Sequence, residues 1–181
     1  MTRFVRTTLG RDLRRLALPL ASAGLVLVAA CRSLPAEALQ SEVPVAVTPT
    51  AVPLNGQNQT LQRTGQLRYR GGVELTASDV PQFGGLSALT VAADGTAFTA
   101  ISDLGYWVRG RLQYDPAGDL TGVYGVRMGP LLDFDGESVA GKVRGDAEAI
   151  VPDGAGGALV AFEQQHRIWH YGALDRPPRA L

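Results

Sequence analysis

Residues 108–114 read Val-Arg-Gly-Arg-Leu-Gln-Tyr, and their alternating pattern is the clearest indication of the fold class. Apolar or small residues occupy one set of alternate positions, and Arg109, Arg111 and Gln113 occupy the other. A period of two is typical of a β-strand that is buried on one face only. Asp115-Pro116-Ala117-Gly118 follows directly and predicts a turn. We therefore expect a sheet of antiparallel strands around this segment.

Short apolar runs separated by turn sequences lie on both sides of this strand. They predict further strands at 67–70, 73–75, 86–91, 96–101, 120–131, 147–151, 158–162 and 167–171. The turns between them contain Asp-Gly or Gly-Gly pairs, as at 94–95 and 153–154. No stretch of a dozen residues beyond the N-terminal leader has a helical period, so the sequence predicts an all-β protein.

An internal repeat refines this prediction. Ser87 and Ser102 are fifteen residues apart, and so are Glu148 and Glu163. In each copy a strand leads through a turn to a second strand, then to a polar residue and a third strand. Such copies indicate successive blades of a β-propeller, and the alternative is chance similarity between β-hairpins. The 61-residue offset of the copies requires an inserted excursion, which we place around 128–145.

The N-terminus has the layout of an export signal. Five arginines precede an uncharged apolar run from Leu16 to Ala30, which is too short to span a bilayer comfortably. The run ends Leu27-Val28-Ala29-Ala30-Cys31 and resembles the lipobox of bacterial lipoproteins. This resemblance implies a lipidated Cys31 after cleavage of a signal peptide at 1–30. The alternative is an ordinary signal peptide followed by a chance cysteine.

Composition and proline content predict the remaining organisation. Without residues 1–30 the chain has 12 basic and 16 acidic residues, a mildly acidic balance that argues against nucleic-acid binding. Several prolines lie among small and polar residues in 31–50, which predicts an extended tether. We expect the folded domain at 51–181.

Five segments occur in an order that resembles a known family. They are 67–75, 83–89, 101–105, 146–149 and 162–169, and they resemble the phytase-like family described as having esterase-like activity, a group of exported bacterial β-propellers. The resemblance covers about residues 51–175. It implies a propeller that acts on phosphate or carboxylic esters outside the cytoplasm.

Members of that family are generally longer than this chain. The resemblance therefore implies an incomplete propeller of about half a ring, whose open sheet edges favour aggregation. The expected alternatives are a fragment, a truncated reading frame, or blades that come from elsewhere. With Cys31 lipidated, the protein is expected on the membrane of the bacterial cell envelope and facing the periplasm.

Glu148 and Glu163 are the strongest candidates for chemistry. Each follows an apolar or small residue within an otherwise apolar strand, where an ionised carboxylate is costly unless it is paired or bound to metal. With Asp103 and Asp146 they supply the oxygen ligands that Ca²⁺ or another divalent cation prefers. The alternative is that these acids cap turns or pair with nearby arginines.

His166 and Arg167 are the candidates for binding an ester or phosphate ligand, because arginine binds oxyanions with two parallel hydrogen bonds. Ser87 and Ser102 lack the Gly-x-Ser-x-Gly context of an exposed nucleophile, so we interpret them as structural. Two functions follow. The first is an ester hydrolase with a metal-lined channel, and the second is a non-catalytic envelope lipoprotein that binds a ligand or protein partner. An inactive fragment is the third alternative.

Overall fold

A computed structural model describes residues 37–180 of the chain, so the predicted signal peptide and Cys31 lie outside the described residues. The described part is nearly all strand, with one short helical turn. Its elements are β1 Val43–Pro44, β2 Val47–Ala51, β3 Arg63–Thr64, β4 Leu67–Arg68, β5 Val73–Ala77, β6 Leu86–Val91, β7 Ala97–Ser102, β8 Tyr106–Tyr114, β9 Leu120–Pro130, α1 Lys142–Gly145, β10 Ala147–Pro152, β11 Ala158–Phe162 and β12 Arg167–Tyr171. No helix within residues 37–180 is long and apolar enough to cross a membrane.

The strands form two main antiparallel sheets. The first sheet has the order β1-β9-β8-β7-β6, and the second sheet has the order β10-β11-β12. In β8 the predicted alternation is observed, since Val108 and Gly110 are buried whereas Arg111 and Gln113 are exposed. The all-β prediction is confirmed, and the open sheets of the described residues are consistent with part of a propeller.

Two hydrophobic cores cover the two faces of the first sheet. On one face Val108, Ala100 and Met128 pack with residues from the N-terminal strands, among them Val45. On the other face Ile101 and Trp107 pack against Val160 and Phe162 of the second sheet, together with other buried residues. The first sheet therefore lies between the second sheet and the N-terminal strands.

The predicted tether differs from the structure in its second half. β1 pairs with β9 and β2 pairs with β5, so residues 43–51 belong to the folded part. Pro44 and Pro49 occupy strands at the edges of their sheets, where proline is tolerated because its missing N–H faces away from the ladder. The buried side chain of Val45 follows from the same arrangement. Proline content alone therefore does not indicate an unpaired segment here.

The predicted repeat appears as two matching strand triplets, β6–β7–β8 and β10–β11–β12. Each first strand contains a bulge that leaves one residue unpaired, Ser87 in β6 and Glu148 in β10. The turn of the second copy is one residue shorter: Asp153 N–H bonds to Gly157, whereas Ala92 N–H bonds to Ala97.

This shorter turn changes the alignment of the copies by one residue after the first strand. The main-chain N–H of Asp103 donates to Gly85, and the N–H of Glu163 donates to Asp146 in the same way. Glu163 therefore corresponds to Asp103, and not to Ser102 as the fifteen-residue spacing predicts. Between the copies lies β9, which extends the first sheet, and the predicted excursion follows it as residues 131–146 and contains α1.

Candidate metal centre

Three predicted metal ligands meet at the start of the second sheet. Carboxylate oxygens of Asp146, Glu148 and Glu163, one from each residue, lie within 4.8 Å of one another. Asp146 immediately precedes β10, Glu148 is the bulged residue of that strand, and Glu163 directly follows β11. The N–H of Glu163 donates to the carbonyl oxygen of Asp146, so the backbone itself holds the ends of the two strands together. We call these three residues the carboxylate cluster.

Asp103, the fourth predicted ligand, is connected to the carboxylate cluster through a lysine. The Lys142 Nζ lies 3.1 Å from Oδ2 of Asp103 and 2.6 Å from Oδ1 of Asp146. It lies 3.9 Å from Oε1 of Glu148. All four predicted acids are therefore in one region, but an ammonium group stands between Asp103 and the other three.

A glycine allows the Asp103 carboxylate to reach this position. Gly85 has a φ of +57°, and a Cβ atom there would lie 2.0 Å from Oδ1 of Asp103. Any side chain would displace the carboxylate, and the left-handed backbone disfavours a side chain for a second reason. The segment 83–89, which we singled out in the sequence, thus contributes a close approach between backbone and carboxylate.

Asp146 is the buried centre of the site. Its side chain is fully buried, and its Oδ2 has no donor at hydrogen-bonding geometry in the described part of the chain, although the side chains of Gln164 and Glu148 also interact with this carboxylate and lower its pKa. A buried acceptor without a donor is unfavourable, because it loses its hydration without compensation. The hydrogen bond from Lys142 lowers the pKa of Asp146 below its ordinary value, so this buried carboxylate is held in its ionised form.

The surroundings of Glu148 shift its pKa in the opposite direction. Partial loss of hydration, and then the neighbouring Asp146 carboxylate, raise the pKa of Glu148 above its ordinary value. Beyond the loss of hydration, the raised pKa of Glu148 reflects the negative charge of its neighbours Asp146 and Glu163. A divalent cation would offset that negative charge, and perturbed pairs of this kind are frequent at functional sites.

The two predicted ligand-binding residues have different surroundings. His166 lines a surface cavity together with Glu148, Glu163, Ala161 and Phe162, so it lies beside the carboxylate cluster. Its role in binding stays a prediction.

The Arg167 guanidinium stacks on aromatic rings instead, 3.9 Å from the centroid of Phe162 and 4.3 Å from that of Trp169. It donates hydrogen bonds to the main-chain carbonyls of Gln165 and Arg144. These contacts indicate that Arg167 stabilises the loop that follows β11, because its donors bind the chain's own carbonyls.

The two serines have structural contacts, in agreement with their sequence context. The hydroxyl oxygen of Ser102 is buried and accepts hydrogen bonds from the N–H groups of Leu104 and Tyr106, at 3.3 and 3.2 Å. It therefore stabilises the turn between β7 and β8. The hydroxyl of Ser87 donates to the carbonyl oxygen of Gly85 at 3.2 Å.

Lys142 is the residue of the candidate site that the sequence analysis missed. The signal was present, since Lys142 is the only lysine in the chain and sixteen arginines supply the other basic side chains. Its spacing of four from Asp146 also matches an ion pair across one helical turn. The surrounding segment has no periodicity, so the sequence did not indicate that a helical turn would form there.

We expect Glu148→Gln to stabilise the metal-free protein at neutral pH. A raised pKa means that the folded state binds a proton more readily than the unfolded chain, so the ionised carboxylate costs stability above that pKa. The gain from the neutral amide should be present at pH 7 in EDTA and should shrink toward zero near pH 4, around the unfolded pKa of about 4.3.

The measurement is the urea midpoint of the wild type and E148Q at both pH values. Glu74→Gln, at an exposed position on β5, is the matched control and should leave the midpoint unchanged. A lower midpoint for E148Q at pH 7 would contradict the electrostatic account.

Comparison with known proteins supports the family resemblance. The family described as "Phytase-like: Esterase-like activity of phytase" matches residues 81–181, which include the carboxylate cluster, Asp103 and Lys142. No curated protein and no solved structure matches the chain. Since the matched segment covers more than half of the sequence and contains both strand triplets, the chain belongs to the phytase-like family.

Proposed function

We propose that this protein is an extracytoplasmic hydrolase of phosphate or carboxylic esters that requires a divalent cation, with Ca²⁺ as the first candidate. The observation that carries the proposal is the convergence of Asp146, Glu148 and Glu163, with a buried carboxylate oxygen of Asp146 that has no donor among the described residues. Membership of the phytase-like family supports ester hydrolysis as the reaction class.

The chemistry of the donor set fits a hard divalent cation. Ca²⁺ binds about six to eight oxygens, and three carboxylates supply between three and six of them. Glu148 and Glu163 are exposed, so solvent or a substrate oxygen can reach the remaining coordination positions. A bound cation would act as a Lewis acid that polarises the phosphoryl or carbonyl oxygen of an ester.

The protein's own residues have separable roles in this proposal. Asp146 is fixed by burial and by Lys142, which lowers the pKa of its carboxyl group, so it provides an oriented oxygen that is ionised at neutral pH. Glu148 and Glu163 complete the ligand set from two neighbouring strands. His166 lines the same cavity, and in this proposal it donates a hydrogen bond to an anionic substrate group.

The second candidate function, ligand binding without turnover, has one observation in its favour. Ser87 and Ser102 are both engaged in hydrogen bonds with the main chain, so neither is presented as a free nucleophile. Binding without turnover predicts the same cation site but no hydrolysis, so one assay separates the two functions.

We expect the full chain to hydrolyse p-nitrophenyl phosphate or p-nitrophenyl acetate in the presence of Ca²⁺ and to lose this activity in EDTA. Glu163→Gln should reduce the rate at fixed Ca²⁺ by at least about tenfold, because even residues that only support a metal ligand contribute about 10–100-fold to metal affinity or activity. Glu74→Gln is the control. Hydrolysis that persists in EDTA would contradict a cation-dependent mechanism, and Ca²⁺ binding without turnover would favour the ligand-binding function.

We also propose that the protein is exported and anchored to the bacterial cell envelope through lipid on Cys31. The support is the order of arginines, apolar run and small residues before that cysteine. Cys31→Ser should move the protein from the membrane fraction to the soluble fraction of cells, because stable anchoring requires the acyl chains. Fractionation followed by immunoblotting measures this, and an unchanged membrane fraction for C31S would contradict lipid anchoring.

A further inference from the structure

We propose that the Lys142 ammonium occupies a second cation position in the site, so that the wild-type protein binds one divalent cation and the loss of Lys142 allows two. This inference rests on the proposed cation site and specifies its stoichiometry. In this proposal Lys142 determines how many divalent cations the site binds, because its own positive charge occupies one of the two positions.

The contacts of Lys142 are those of a bound cation. Its Nζ lies within 4 Å of carboxylate oxygens from Asp103, Asp146 and Glu148. Oδ1 of the buried Asp146 accepts a hydrogen bond from this ammonium, while Oδ2 has no donor at hydrogen-bonding geometry in the described residues. In the proposal, Asp146 binds the ammonium through Oδ1 and leaves Oδ2 for a divalent cation.

The correspondence between the two sheets supports two positions. Asp103 follows β7, the second strand of its triplet, as Glu163 follows β11, the second strand of the other triplet, and their N–H groups make matching hydrogen bonds. The site thus has two cation positions. The first includes the Glu163 carboxylate. The second includes the Asp103 carboxylate, and the Lys142 ammonium occupies it.

The backbone keeps Lys142 in place. The N–H of Gly141 donates to the carbonyl oxygen of Leu104, next to Asp103, at 2.9 Å. At the other end of α1, a Cβ atom on Gly105 would lie 2.9 Å from the Cα of Gly145, so the helical turn packs directly on the turn between β7 and β8. Lys142 is the first residue of this helical turn, and both ends of the turn are fixed on the first sheet. The backbone therefore holds the Lys142 ammonium close to Asp103.

Charge balance gives the expected stoichiometry. Asp103 and the carboxylate cluster together carry four negative charges, and Lys142 with one divalent cation supplies three positive ones. A second divalent cation beside the ammonium would add repulsion at a distance of a few Å, where like charges are strongly unfavourable. Without the ammonium, two divalent cations would balance all four carboxylates.

The experiment is a calorimetric titration of Ca²⁺ into the full chain and its variants. We expect one ion bound to the wild type, two to Lys142→Met, and one to Lys142→Arg, which retains the charge. The double variant D103N/K142M should bind one ion again, because the second cation position has lost the Asp103 carboxylate.

A second readout covers the case in which K142M unfolds without metal. The free energy of unfolding changes with the logarithm of the Ca²⁺ concentration, with a slope proportional to the number of ions bound only by the folded state. At saturating Ca²⁺, the shift in the urea midpoint per tenfold increase in concentration should be about twice as large for K142M as for the wild type.

The outcomes separate the two proposals. One ion in the wild type and one in K142M overturns the second cation position and leaves the proposed function intact. Two ions in the wild type also overturns it, because the ammonium would then exclude nothing. No Ca²⁺ binding to the wild type overturns both proposals.

Discussion

The pairing of a buried carboxylate, Asp146, with the Lys142 ammonium is the interaction on which the site depends. A charged group without water is stable only with a partner of opposite charge and with hydrogen bonds. Asp146 has that partner on one oxygen, and its main-chain carbonyl accepts the N–H of Glu163. The same residue therefore joins the excursion to the second sheet and fixes two of the three candidate cation ligands.

The packing around this pair explains why the geometry is defined. Trp107 from the first sheet and Val160 from the second share one core, which holds the two triplets of strands together. The hydroxyl of Tyr171, which is fully buried at the end of β12, donates to the carbonyl oxygen of Leu132 at 2.8 Å and ties the excursion to the second sheet. The excursion is consequently bound to both sheets, and its fixed backbone places Lys142 beside Asp103 and Asp146.

Much of the fold follows from local sequence patterns. The strands from 67 onward were predictable because alternation and Gly- or Asp-containing turns are local properties, and the structure places strands in each of those segments. β1 and β2 were missed because their prolines resemble a linker, and only pairing with β9 and β5 shows that they are edge strands. Glu163 aligns with Asp103 and not with Ser102 because the turn between the first two strands is one residue shorter in the second copy. Equal spacing in the sequence does not reveal such a difference in turn length.

The candidate site was predictable in part for a related reason. Glu148, Glu163, Asp103 and Asp146 were recognisable because acids beside apolar strands are exceptional, whatever their partners. Lys142 was not, since its role arises from an aperiodic segment that folds back on the first sheet. The repeat also provides the acids of the candidate site: two equivalent strand ends carry Asp103 and Glu163, and the inserted segment between the copies places the Lys142 ammonium beside Asp103.

Diffraction from crystals grown with Mn²⁺ as a substitute for Ca²⁺ would locate a bound ion by its anomalous scattering. We expect one peak bounded by carboxylate oxygens of Asp146, Glu148 and Glu163, with Lys142 still bound to Asp146 and Asp103. The absence of a peak at these three carboxylates would contradict the proposed cation site, and so would a peak that replaces the Lys142 ammonium.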